Sequence, residues 1–343
     1  MLDYKKTGTF LASKRKQAQM TQADVAQKLG VSFQAVSKWE NGTLPFPEIP
    51  HPVLVLKSEE PGSKQKLAME YGYSESICHD MINHLVNDIM VMGARPLAVL
   101  DTIVCGSAEK ETIKSFIKGI SDACRENGCS LVGGETSIQP QVVEKGVYVL
   151  TSSIAGILSK DKVIDGSGIT EGDTVLAVAS NGLHTNGYSL VRMLMDQMPQ
   201  IKLEKIDGET FIEQIMKPHT TYRNAIQNLL ECPGIHGMAH ITGGGIQGNL
   251  CRILPDGLYA DIDLSKIKTL PIFRYIQRIG NIDEAEMLST FNCGVGLIVV
   301  VSERYAEQAI RNIAKYHDCY EIGSIRKGNG KVLFRNSVNW ESS

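Results

Sequence analysis

Ser180-Asn-Gly-Leu-His-Thr-Asn-Gly-Tyr-Ser-Leu-Val-Arg192 sets a loop rich in glycine, asparagine and histidine between an apolar run, Thr174 to Ala179, and a stretch of helical character. A strand that turns through glycines into a helix start presents bare backbone N–H groups and the positive end of a dipole, which suits phosphate. The chain repeats the device: His240-Ile-Thr-Gly-Gly-Gly245 follows Gly237 to Ala239 and precedes a second helical stretch, Ile246 to Leu254. One glycine-rich turn is most often only a turn. Two of them, each carrying a histidine, point to a phosphorylated ligand.

Around these loops apolar runs alternate with amphipathic ones. Strands are expected near residues 174–179, 236–241, 295–301 and 319–323, and helices near 188–198, 219–231, 246–254 and 303–316, which makes an α/β domain. Upstream, Ser76 to Met92 reads as a helix with Ile77, Met81, Leu85, Ile89 and Met92 on one side. Asp80, His84 and Asp88 recur at steps of four and share another face, with Asn87 beside them. For Asp80 and His84 that face reads as solvated. Asn87 and Asp88 fit it less well, because short polar residues disfavour helix interiors and need another reason to be there. A strand from Leu97 to Val104, a helix from Glu111 to Asn127, the run Ser130 to Val132 into Gly133-Gly134-Glu135, and a strand from Val147 to Leu158 complete a first domain. Lys160 to Gly172 reads as the junction.

The front differs in kind. Phe10-Leu11, Met20, Val25-Ala26 and Leu29 recur at helical spacing, Thr21-Gln22 supplies a helix start, Gly30 a stop, and Ser32 caps a third helix through Trp39. Residues 1–50 carry seven Lys/Arg against four Asp/Glu, a charge of +3, and the remainder carries 28 against 34, or −6. A basic front on an acidic body suggests two different partners. The stretch from Thr21 to Gly42 resembles the Cro/repressor-type helix-turn-helix family. That resemblance implies DNA binding, with Gln22 on phosphate and Ser32, Gln34 and Ser37 facing base edges. It stops early: Leu44-Pro-Phe-Pro-Glu-Ile-Pro-His-Pro52 reads as an extended linker where such domains add two further helices.

Length and composition set bounds. At 343 residues, 43% hydrophobic and 21% charged, the chain reads as globular with two or three domains. No run approaches the roughly 18 uncharged apolar residues of a membrane span, and the first residues are too polar for a secretion signal, so the expected address is the cytoplasm. Eight scattered cysteines without metal-knuckle spacing read as reduced thiols, and Cys293 beside glycines as a packing residue, not a nucleophile. His236 and His240 stand four apart, but on a strand that spacing does not mimic a helical zinc site.

Asn87-Asp88, Gly133-Gly-Glu-Thr136, Gly182 to Arg192, Met238-Ala-His-Ile-Thr-Gly-Gly-Gly245 and Thr290-Phe-Asn-Cys-Gly-Val-Gly296 resemble, in order, the motifs of the aminoimidazole ribonucleotide synthetase family, also called phosphoribosylformylglycinamidine cyclo-ligases. The resemblance covers roughly Pro52 to Gly323. A wider superfamily with selenophosphate synthetases and hydrogenase-maturation proteins shares the two-domain plan. It implies a mixed α/β fold: a helix-turn-helix over 1–48, an ATP-binding and dimerisation domain over 53–165, and a C-terminal α/β domain over 170–337. It further implies ATP and Mg2+ as cofactors, formylglycinamidine ribonucleotide as substrate, and a homodimer whose first domains join their sheets into a barrel.

By the same resemblance Glu59, Asp88 and Glu135 would hold magnesium. Asp88, His184 and His240 would be catalytic. Glu59, Gly62, Ser63, Lys64, Asn186, Thr242, Gly243, Gly244 and Gly245 would meet the nucleotide and substrate. One departure bears on this. The family's D-G-V-G-T-K is Glu59-Glu-Pro-Gly-Ser-Lys64 here, which adds charge near the phosphates and removes an N–H donor. A reading of another class follows from it: a transcriptional regulator whose cyclo-ligase body senses a purine intermediate or nucleotide.

Overall fold

The computed structural model describes residues 4–29, 32–42, 49, 51–328 and 332–341. Gly30 and most of the Leu44 to Pro52 linker lie outside the described residues, as does the side chain of Leu29. The chain divides into two compact units, Met1–Val53 with Leu158–Asp161, and Leu54–Ile157 with Lys162–Ser343.

The first unit holds α1 (Tyr4–Gln17), α2 (Gln22–Leu29) and α3 (Phe33–Glu40). Ser32 caps α3 by accepting a hydrogen bond from the Ala35 N–H, as its position before the apolar run requires. Arg15 ties α1 to α3 and to the turn before α2: it donates through Nε and Nη2 to the Glu40 carboxylate and through Nη1 to the Met20 carbonyl. Ala26 and Val36 are buried between them, while Phe10 and Leu11 stay exposed.

In the second unit the elements run β1 (Pro52–Glu59), α4 (Lys64–Tyr71), α5 (Ser74–Met90), β2 (Arg95–Cys105), α6 (Lys110–Glu126), β3 (Ser130–Ile138) and β4 (Tyr148–Ser159). These strands form a sheet in the order β1-β4-β2-β3, with β2 parallel to β3 and antiparallel to β4. The chain continues through β5 (Thr174–Ala179), α7 (Tyr188–Gln197), the short pair β6 (Lys205–Ile206) and β7 (Glu209–Thr210), α8 (Phe211–Ile215), α9 (Arg223–Leu229) and β8 (Ile235–His240). It ends with α10 (Gly245–Leu250), β9 (Leu258–Asp263), α11 (Pro271–Gly280), α12 (Glu284–Thr290), β10 (Val295–Val301), α13 (Ala306–Ile313), β11 (Cys319–Lys327) and β12 (Val332–Arg335). A six-stranded sheet, β12-β9-β11-β5-β10-β8, is antiparallel except where β12 joins β9. Strand β10, flanked by β5 and β8, is buried at every residue, which is why Val295 to Val301 reads as an unbroken apolar run.

The expected solvated face of α5 is a correction. Asp80 is fully buried and His84 is 7% exposed. The polar face packs on the segment 217–222 and bonds its backbone. Asn83 donates to the His219 carbonyl, Asn87 donates to the Thr220 carbonyl and accepts from the Tyr222 N–H, and Asp80 accepts from the His219 N–H. Residues 219–222 are therefore held outside the helix expected over 219–231, and α9 begins only at Arg223. Asn87 sits in the helix because it is part of this backbone clamp, whereas Asp88 meets the side chains of His240 and Lys57 instead.

The helix expected over 246–254 is likewise only the six residues of α10. All eight cysteines are free and seven are buried. Cys293, 1% exposed, packs with its thiol on the Met287 carbonyl. Among the described residues no helix is long and apolar enough to cross a membrane.

Candidate active site

The first glycine loop leaves β5 and enters α7 through Gly187, whose φ of 80° belongs to the left-handed region. A Cβ there would strike the Phe291 ring, so only glycine fits. The second loop leaves β8 and enters α10 through Gly244 and Gly245, also left-handed. Asn249 pins it, its amide nitrogen donating to the carbonyls of Thr242, Gly243 and Gly245 at 3.4, 3.2 and 2.8 Å. The loops adjoin: Asn186 Oδ1 lies 3.2 Å from where a Cβ on Gly243 would stand.

Between them opens a cavity of about 430 Å³ lined by Lys57, Glu59, His84, Asp88, Asn186, His240, Thr242, Gly243, Asn249 and Arg252, among others. Of the residues singled out by sequence, Glu59, Asp88, Asn186, His240, Thr242 and Gly243 therefore meet at one site. The β1 strand brings Glu59, α5 brings Asp88 and His84, and β8 ends at His240.

Asp88 is the hub. Its Oδ1 takes a hydrogen bond from His240 Nδ1 at 2.7 Å, and its Oδ2 faces Lys57 Nζ at 3.0 Å and His84 Nε2 at 3.6 Å. Burial opposes its charge, but the His240 hydrogen bond and the positive neighbours win and hold the carboxyl well below its ordinary range. Because His240 Nδ1 donates to Asp88, its Nε2 is an acceptor. His219 Nε2, 2.8 Å away, is then the donor, which leaves His219 Nδ1 bare, and that atom is buried without a partner. With both ring nitrogens engaged, His240 acts by orienting Asp88.

Three expectations are corrected. Lys64 does not reach the cavity. It is fully buried, and its ammonium donates to Asp80 Oδ1 at 2.8 Å and to the carbonyls of His184 and Lys217 at 3.1 and 2.7 Å. Burial raises the Asp80 carboxyl to about 6 against the attraction of Lys64. His184 is 1% exposed, with φ 59°, and stacks on His219 at 3.9 Å. Burial holds its imidazole well below the ordinary range, so it shapes the loop from behind. Glu135 is exposed on β3, at the opposite edge of its sheet from β1, and does not join Glu59 and Asp88.

Gly62 and Ser63, in the turn between β1 and α4, and Gly244 and Gly245, in the second glycine loop, do not line the cavity. Gln22 donates from its amide nitrogen to Glu40 Oε2 at 2.7 Å and is partly exposed, as is Ser37, whereas Ser32 and Gln34 are exposed. Sequence reasoning missed Lys57, His219, Asn249 and Arg252. Lys57 carries a readable signal, two residues before Glu59 on one face of a strand. His219 carries none, because its segment has no regular period.

The donor set suits a divalent cation. Glu59 Oε2 and Asp88 Oδ2 are hard oxygen donors, and each lies 3.0 Å from the same ammonium group, so a cation already stands between them.

Family models described as the AIR synthase related protein N-terminal and C-terminal domains match residues 54–158 and 170–336. A helix-turn-helix model matches residues 11–47. The phosphoribosylformylglycinamidine cyclo-ligase of Bacillus cytotoxicus is 40% identical over 294 residues, covering 84% of each chain. That of Methylobacillus flagellatus is 42% identical over 307 residues, covering 88% of this chain and 85% of its own. Among solved structures, the hydrogenase maturation protein HypE of E. coli superposes with a TM-score of 0.60 at 20% identity, over 84% of each chain, which is a likeness of fold.

Proposed function

The chain belongs to the AIR synthase related family, and we propose that it closes the imidazole ring of aminoimidazole ribonucleotide from formylglycinamidine ribonucleotide at the expense of ATP, a step of purine synthesis. The observation that carries this is Asp88, held at 2.7 Å by His240, in a cavity bounded by both glycine loops. ATP phosphorylates the formyl oxygen. The amidine nitrogen then attacks the formyl carbon and gives up a proton, and phosphate leaves with the oxygen.

Glu59 and Asp88 would hold Mg2+, which would mask phosphate charge when bound. Asn186 and Thr242 present polar groups to the substrate, the Gly243 loop lets a ligand approach the backbone, and Arg252 supplies an always-charged donor for a phosphate. α10 is too short for a strong dipole, so backbone N–H groups and Arg252 are the phosphate partners here. Asp88→Asn keeps the volume and weakens both the cation and the His240 contact. Product formation should fall by at least about a hundredfold with an unchanged circular dichroism spectrum. Undiminished turnover would sink the assignment.

The domain limits proposed are 1–48, 53–165 and 170–337. A homodimer is supported by the first sheet, whose face carries exposed Leu54, Leu56, Leu100 and Val132 around an apolar groove of about 410 Å³.

A second reading rests on the helix-turn-helix match and on exposed Ser32 and Gln34 in the reading position of α3. In it the front binds DNA and the body reports a purine intermediate. A mobility-shift screen against upstream regions of purine genes, negative at low salt, would remove it.

A further inference from the structure

Lys57 stands where a metal ion would. Its Nζ lies 3.0 Å from Glu59 Oε2 and 3.0 Å from Asp88 Oδ2, and His84 Nε2 lies 3.6 Å from each of those same two oxygens. One ammonium is thus enclosed by two carboxylates and an imidazole, all on the wall of one cavity. We propose that Lys57 is a built-in counter-cation: it occupies the divalent-cation position of the ligand-free protein and must leave before metal loads. The proposal rests on the reading of Glu59 and Asp88 as the cation-holding carboxylates.

Charge balance is the physical reason. Two carboxylates this close repel one another, and in a partly buried site that repulsion is poorly screened. A single ammonium offsets it in the absence of ligand. A phosphate ligand adds negative charge that one ammonium cannot match, so a dication becomes favoured there. Lys57 is able to yield. It sits on the edge strand β1, its side chain is 36% exposed, and its four-carbon stem lets the ammonium swing within the cavity toward a phosphate oxygen. Metal binding should therefore be weak in the empty protein and coupled to the phosphate ligand. Without Lys57 the coupling should largely vanish, because the carboxylates are then left without a counter-cation.

The test uses Mn2+ as the probe on the full chain without nucleotide, read by electron paramagnetic resonance of the free ion. Lys57→Met should bind Mn2+ on the order of tenfold more tightly than wild type. Lys57→Gln should do the same, and guards against a folding defect in the first variant. Adding Asp88→Asn should abolish the gain. Equal or weaker Mn2+ binding in both lysine variants, still sensitive to Asp88→Asn, would overturn the role of Lys57 and leave the carboxylate site standing. No Mn2+ binding in any variant would overturn both.

Discussion

Lys64 and Asp80 are fully buried, and the three donors of the Lys64 ammonium are accounted for by Asp80 and two carbonyls. Such a pair contributes little net stability, but removing one partner strands the other charge. Asp80→Asn should cost about 3–5 kcal/mol in chemical denaturation. A loss under 1 kcal/mol would mean that Lys64 is neutral in the native state. The buried histidines predict a pH dependence. His184 and His219 are held well below the ordinary imidazole range by burial. Their folded values are depressed, so the unfolded chain binds more protons below pH 6.5 and stability is lost as pH falls. At pH 5 each should have cost about 2 kcal/mol relative to neutral pH. Asp80, raised to about 6, has the opposite sign and returns about 1 kcal/mol over the same range. Net destabilisation below pH 6.5 should appear in urea titrations and shrink in His219→Gln. At this scale the sequence was partly legible. Asp88, which the sequence singled out, lines the cavity, whereas Lys64 and His184 sit behind it, because nothing in a linear pattern tells a loop's inner side from its outer.

Among the elements, α5 shows why a polar helical face was misread. Its Asn and Asp side chains satisfy the backbone of residues 217–222, a partner that no periodicity in α5 itself can reveal. The sequence did show that Asn87 needed a reason to be there. Strands β5, β8 and β10 and helices α5, α6 and α7 lie close to where alternation and apolar runs placed them. Elements β9, α11 and α12 went unread, since their apolar residues are interspersed with charge. The glycine loops carry a sharp prediction. Gly245 has φ 60°, and a Cβ would strike the Leu288 carbonyl. Gly245→Ala should destabilise by about 1–3 kcal/mol and displace the loop, raising KM. In the front, Ser32→Ala should cost about 1 kcal/mol through the lost cap of α3.

For the whole molecule, the two α/β sheets and the helical front were legible because glycine loops, strand runs and the Ser32 cap are local signals. The gathering of β1, α5 and β8 around one cavity was not, since it depends on long-range packing. The apolar outer face of the first sheet belongs to this scale too. Leu56, 75% exposed, should sit in a dimer interface, and Leu56→Glu should yield monomers by light scattering. A monomeric wild type would refute the shared sheet. The central claim is catalysis in a chain whose phosphate loop reads Glu59-Glu-Pro61. Its most direct test is to incubate the purified full-length protein with ATP, Mg2+ and formylglycinamidine ribonucleotide, following aminoimidazole ribonucleotide and phosphate together. One phosphate should appear per ring closed, at a rate on the order of 1 s⁻¹. Substrate binding by calorimetry without either product would contradict it and leave the body a sensor.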